Sequence, residues 1–140
     1  MADLGAVRTA LATQVTLVTG MRTLPEAKDS VSPPVAVILP GQPYVVYGAT
    51  MDGAFTVNLR ILVVISDAAP DEKVQRALDA YLGIGAGTTE SSIPDAIMAD
   101  PTLGGVVHFA EPVSIDSYGR IQYNGVGYFG GRINVQCGCI

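Results

Sequence analysis

The chain has 140 residues, a formal net charge of −5, 49% apolar residues and only 15% charged ones. That length fits one domain burying roughly two thirds of the surface its unfolded form exposes, with a charge-poor exterior of the kind that partners cover. The acidic balance argues against non-specific nucleic-acid binding by phosphate neutralisation, while an acidic surface suits a channel through which DNA slides without sticking.

Residues 3–18 place Leu4, Val7, Leu11, Val15 and Val18 at helical spacing, with Asp3 as the cap and Gly20 as the stop. The N-terminus lacks a basic leader, and Thr13, Gln14 and Thr16 interrupt Leu11–Val18, so neither export nor membrane insertion is expected. Nowhere does the chain reach the roughly eighteen apolar residues of a membrane span. Met21–Pro34 reads mostly as loop, with Pro25, Pro33, Pro34 and room for a short strand at Met21–Leu24. Val35–Leu39, bounded by Pro34 and Pro40, reads as a strand. A turn at Gly41–Pro43 then leads to a second strand, Tyr44–Tyr47, and another turn at Thr50–Gly53 follows.

Ala54–Ser66 is the stretch around which the rest is expected to pack. Phe55, Val57, Leu59, Ile61, Val63 and Ile65 form an unbroken apolar face at period two. The alternate positions begin polar, with Thr56, Asn58 and Arg60, and turn apolar at Leu62 and Val64. The first half should be buried on one face and the second half on both, as in a central strand. Asn58 and Arg60 then point away from the core, towards solvent or another subunit.

A helix over Pro70–Leu82 follows. Pro70 suits the first helical position, Asp71 and Glu72 favour the positive end of the dipole, and Gly83 supplies a left-handed stop. Val74, Ala77, Leu78, Tyr81 and Leu82 form one stripe, with Lys73, Gln75, Arg76 and Asp79 opposite. Gly83–Ser92 reads as a loop. A short helix begins near Pro94, turns Ile97 and Met98 inward, and closes at Asp100–Pro101. Beyond Gly105 the pattern is extended: Val106–Phe109, Pro112–Tyr118, Ile121–Tyr123 and Val126–Val135, with Asn124–Gly125 favouring a type I′ hairpin turn. The elements predict an α+β fold in a single domain: a mostly antiparallel or mixed sheet with an N-terminal helix and a central helix packed on it.

No catalytic constellation stands out. Gly83-Ile84-Gly85-Ala86-Gly87 follows a helix and lacks a Lys-Ser/Thr pair, so it reads as a hinge and not as a phosphate cradle. His108 is the only histidine, in an extended stretch with no nucleophile tied to it by motif. Asp67, Asp71, Glu72, Asp79, Glu90, Asp95, Asp100, Glu111 and Asp116 are scattered, and capping explains most of them. Cys137 and Cys139 would share a strand face at a Cα separation of roughly 6.5–7 Å, awkward for a disulfide. Two thiols without clustered His also make a poor metal site, which leaves reduced, structural cysteines of a cytosolic protein. Tyr118, Tyr123, Tyr128 and Phe129 surround the terminal hairpin, either as cross-strand pairs or as a contact surface. Gly127, Gly130 and Gly131 suggest a bulge or the close approach of another backbone, such as that of a neighbouring subunit.

Several of these stretches carry a wider likeness. They are the N-terminal helix, Asp29-Ser30-Val31-Ser32-Pro33-Pro34-Val35-Ala36-Val37, the Phe55–Ser66 strand and Gln75-Arg76-Ala77-Leu78-Asp79-Ala80-Tyr81-Leu82. Ser91–Leu103, with Ala99-Asp100-Pro101-Thr102-Leu103-Gly104-Gly105, and the closing hairpin complete them. Over nearly its full length the chain resembles the tail terminator proteins of long, non-contractile-tailed bacteriophages, especially those infecting actinobacteria. The resemblance implies a structural, non-enzymatic virion protein that forms a ring, typically of about six copies. The family's ring caps the head-proximal end of the tail tube, stops tube polymerisation and joins the tail to the head connector.

The implied partners are further copies of the chain, the tail tube protein and a head–tail connector or stopper protein. DNA would pass through the lumen without specific binding, and no membrane, cofactor, metal or catalytic residue is implied. The place would be the tail–neck junction of the virion, after assembly in the bacterial host cytoplasm. Asn58 and Arg60, with Tyr123, Asn124, Gly125 and Tyr128 of the hairpin, are the expected subunit contacts. Alternatives are another neck or tail component (connector adaptor, stopper or tube protein), a small cytosolic enzyme using His108, and a small-ligand binding domain.

Overall fold

The computed structural model describes residues 4–19, 23–24, 35–47, 55–66, 72–83, 93–123 and 126–139. Three helices, α1 (Leu4–Thr19), α2 (Glu72–Leu82) and α3 (Ile93–Ala99), accompany five strands. The strands are β1 (Thr23–Leu24), β2 (Val35–Tyr47), β3 (Phe55–Ser66), β4 (Phe109–Tyr123) and β5 (Val126–Cys139). They form one sheet in the order β1-β2-β3-β5-β4. The short β1–β2 pairing is parallel and the other three are antiparallel, so the sheet of this α+β fold is mixed.

β3 lies at the centre of the order, as its two-sided apolar second half requires. Its odd positions Val57, Leu59, Ile61 and Val63 are buried, and so are Leu62 and Val64 on the other face. The main core joins those odd positions to Ala36 and Ile38 of β2, and to Ile133, Val135 and Cys137 of β5. Val7, Leu11 and Val15 of α1, Leu78 and Leu82 of α2, and Ile93 and Ile97 of α3 close over it. Full burial of each such aliphatic side chain stabilises by about 1.5–3 kcal/mol relative to exposure.

The helix face is covered jointly by three helices, and not, as expected, by an N-terminal helix with one central helix as its main cover. α1 packs on α3 and β1, α2 on β3 and β5, and α3 on β4. Met98 is a second correction: Ile97 is buried, but Met98 is 67% exposed. A seven-residue helix lying on one surface buries a narrow stripe, and the position after Ile97 turns outward.

Two expected breaks are bridged. Val35–Leu39 and Tyr44–Tyr47 belong to one strand, with a bulge between Pro40 and Val45 and a cis Gln42–Pro43 peptide. Five positions of β2 advance there against two of β3, from Pro40↔Leu59 to Val45↔Val57. Pro112–Tyr118 and Ile121–Tyr123 likewise belong to one β4, bulged between Pro112 and Ser114 and between Asp116 and Gly119. Ser117 (φ 57°) and Gly119 (φ 134°) take the left-handed backbone that the second bulge needs. Val106–His108, by contrast, form turns and bends ahead of β4.

The glycines of β5 serve contacts within the chain. A Cβ on Gly130 would collide with the Val63 carbonyl oxygen, and one on Gly131 would meet Leu82 of α2 at 3.0 Å. The close approach expected at these positions is therefore by β3 and α2 of the same chain. Asp3, Gly20, Thr50–Gly53, Pro70, Asp71, Gly85, Gly87 and Asn124–Gly125 lie outside the described residues. The pair Tyr123↔Val126 nevertheless closes the hairpin with two residues between its strands.

Candidate interaction surface

The face of the sheet opposite the helices divides into two regions. At the end where β3 finishes, Leu24, Val35, Val37, Leu62, Val64 and Tyr128 form a second buried cluster, with Leu39 and Ile121 against it. Towards the other end the same face becomes polar. Cross-strand registers align Asn58 with Gln136 and Glu111, Arg60 with Asn134 and Ser114, and Leu62 with Arg132 and Asp116. A half-open depression of about 270 Å³ lies there, bordered by Gly41, Gln42, Asn58, Arg60, Asn134 and Gln136.

Polar side chains tie this region together. Asn134 Nδ2 donates to Ser114 Oγ and to Asp116 Oδ2, both at 2.9 Å. Arg132 Nε donates to Asp116 Oδ1 at 2.8 Å, and an outer guanidinium nitrogen donates to Ser117 Oγ at 2.9 Å. Hydrogen bonds from Asn134 and then Arg132 hold the Asp116 carboxyl below its ordinary value, against the opposing effect of partial burial. These bonds span the second β4 bulge and hold its unusual backbone against β5.

The expected contact residues separate into three kinds. Asn58 and Arg60 are half-buried on the polar region, but their groups are used inside the chain. Asn58 Nδ2 donates to the Pro43 carbonyl at 2.8 Å, and Arg60 Nε donates to the Pro40 carbonyl at 3.0 Å. They hold the β2 bulge, in which Gly41 approaches β3 so closely that a Cβ would lie 2.8 Å from the Asn58 carbonyl oxygen. Tyr128 is buried, only 5% exposed, which removes it from any docking surface. Tyr123 stands at the β4 end of the hairpin, in a ribbon running past the last β3 pair, Ser66↔Phe129. Asn124 and Gly125 lie outside the described residues.

Tyr118 joins the sheet to α2. Its hydroxyl donates to Asp79 Oδ1 at 2.9 Å, and its ring meets Phe129 edge-on with centroids 5.7 Å apart. Burial first, and then the Asp79 carboxylate, raise the Tyr118 hydroxyl above its ordinary value. His108 is exposed, and the bond described for it runs from its backbone N–H to the Gly138 carbonyl at 2.7 Å. Asp100 caps its own loop, accepting from the Gly104 N–H and the Thr102 hydroxyl. Cys137 is a fully buried core thiol. Among the described residues no group of three His, Cys, Asp or Glu could hold a metal ion, and no helix is long and apolar enough to cross a membrane.

The exposed apolar side chains give a different set of contact candidates. Val46, Tyr47, Phe109, Val113 and Tyr118 project from the outer strands β2 and β4, and Tyr47 is 81% exposed. Tyr118 belongs to the hairpin cluster that the sequence offered as a contact surface; periodicity missed the other four, because it reports which side chains share a face and not which strand ends at an edge.

Neither the family models nor the curated proteins searched contain a match to this chain.

Proposed function

We propose that the chain is a ring-forming structural subunit of a long-tailed bacteriophage, acting as the terminator at the head-proximal end of the tail tube. The observation that carries the ring is the placement of exposed apolar side chains on two different edges of one sheet. Two unlike patches on one subunit make a heterologous contact, and a heterologous contact closes into a ring when its rotation permits. The particular ring rests on the resemblance to tail terminators. Its work is occlusion and surface matching: one end covers the last tube subunits, the other receives the connector or stopper, and DNA threads the lumen.

Native mass spectrometry of the concentrated protein, with negative-stain images, tests the ring. Rings of about six copies with a central hole are expected. Deleting the gene from its phage should then give overlong tails lacking heads. Normal tails with a defect at the connector would instead identify an adaptor or stopper. A chain that stays monomeric alone and with purified tail tubes would overturn the proposal.

A further inference from the structure

From the two sheet edges that carry no further strand among the described residues we infer the subunit contact itself: Tyr44–Tyr47 of one copy lies antiparallel along His108–Glu111 of the next, continuing the sheet around the ring. The inference rests on the ring reading above and specifies its interface. β1 covers β2 only at Ala36 and Val37, so the outer edge of β2 beyond them has no strand neighbour among the described residues. β4 ends the strand order on the other side. Pro40 and Pro43 lack N–H donors, so the pairing-competent part of β2 begins at Tyr44, and Pro112 ends that of β4 at Glu111 in the same way.

The registers place these two segments level with each other. Val46 pairs with Thr56, Thr56 with Gly138, and Gly138 with Phe109, so Val46 and Phe109 end one row across the sheet. Repeating the subunit along that row brings Val46 of one copy beside Phe109 of another. The direction is also right. β2 and β5 run one way, β3 and β4 the other, so a head-to-tail repeat sets β4 against β2 antiparallel. Three of the six large apolar side chains exposed among the described residues, Val46, Tyr47 and Phe109, lie on these segments. β2 carries no charged residue in thirteen, so it lacks the charges that normally keep an edge from pairing.

The test mixes two single variants of the full chain, Val46→Cys and Phe109→Cys, under mild oxidation, with the linked peptides mapped by mass spectrometry. Links between 46 and 109 are expected, without 46–46 or 109–109 links. Val46→Asp and Phe109→Asp should each weaken assembly by about tenfold or more, with circular dichroism unchanged. Rings that form with neither the 46–109 link nor sensitivity to these aspartates would overturn this contact and leave the ring standing. Failure of the unaltered chain to form rings, alone or on tail tubes, would overturn both.

Discussion

Gly130 and Gly138 occupy the same strand, yet a methyl group would meet very different neighbours at each. At Gly130 it would strike the Val63 carbonyl oxygen, a backbone atom held in the middle of the sheet. At Gly138 it would strike the edge of the Phe109 ring, a side chain already 38% exposed and able to swing outward. Gly130→Ala should therefore destabilise by about 3 kcal/mol or more, and Gly138→Ala by about 1 kcal/mol, in urea unfolding. Equal losses would mean that Phe109 is locked in place. Asp116 supports a second prediction. Its carboxyl is held below 3.8, so its stabilisation is present above that value and is lost as pH falls through the folded value. Asp116→Ala should cost about 0.5–1 kcal/mol at pH 7, a small loss because the pair with Arg132 is partly exposed. Unfolding curves of variant and parent should converge in acid below the usual carboxylate range; a gap that persists there would put the effect in packing.

At the scale of elements, the shape of β2 depends on side chains from its neighbour β3. Asn58 and Arg60 reach the carbonyls of Pro43 and Pro40 and keep the strand continuous through its bulge. Asn58→Ala should cost about 1 kcal/mol and speed amide hydrogen exchange at Tyr44–Tyr47 in dilute, unassembled protein, with weaker assembly following. Unchanged exchange with impaired assembly would instead place Asn58 directly in a subunit contact. β2 also marks how far the sequence could be read. The odd-position face of Phe55–Ser66 and the stripes containing Val7, Leu11 and Val15, or Leu78 and Leu82, follow from local periodicity; Val57, Leu59, Ile61, Val63 and the helix residues named are buried, and Phe55 and Ile65 at the strand's ends are partly buried. Pro40, Gly41 and Pro43 read locally as a turn, and the bonds that bridge them come from residues fifteen and twenty positions away. Tyr128 was similarly opaque: its burial requires Val35, Val37, Leu62 and Val64 to share its face, which only strand order and register determine. Edge positions such as Val46 and Phe109 depend on the same information.

For the whole molecule, shape and charge bear on the same task. Thirteen acidic residues against eight basic ones leave the chain at −5 near neutral pH, and closure into the proposed ring would multiply that charge around its centre. Repulsion between copies must be exceeded by contact area, so apolar side chains at both edges suit assembly better than ion pairs would. Salt then has a definite effect. Raising ionic strength from about 0.01 M to 0.15 M shortens the screening length from about 30 Å to 8 Å, which weakens repulsion and leaves apolar contacts in place. Assembly should strengthen over this range in sedimentation velocity measurements, opposite to the trend for an interface held by opposite charges. The same acidity predicts weak affinity for duplex DNA. Basic proteins bind it non-specifically with Kd of about 10⁻⁴–10⁻⁶ M at physiological salt by displacing counterions from phosphates. An acidic chain gains little from that displacement and should be weaker than this range in fluorescence anisotropy. Binding tighter than about 10⁻⁶ M, falling steeply with salt as phosphate contacts require, would mean that basic residues are gathered on one surface and would count against the proposed passage of DNA without sticking.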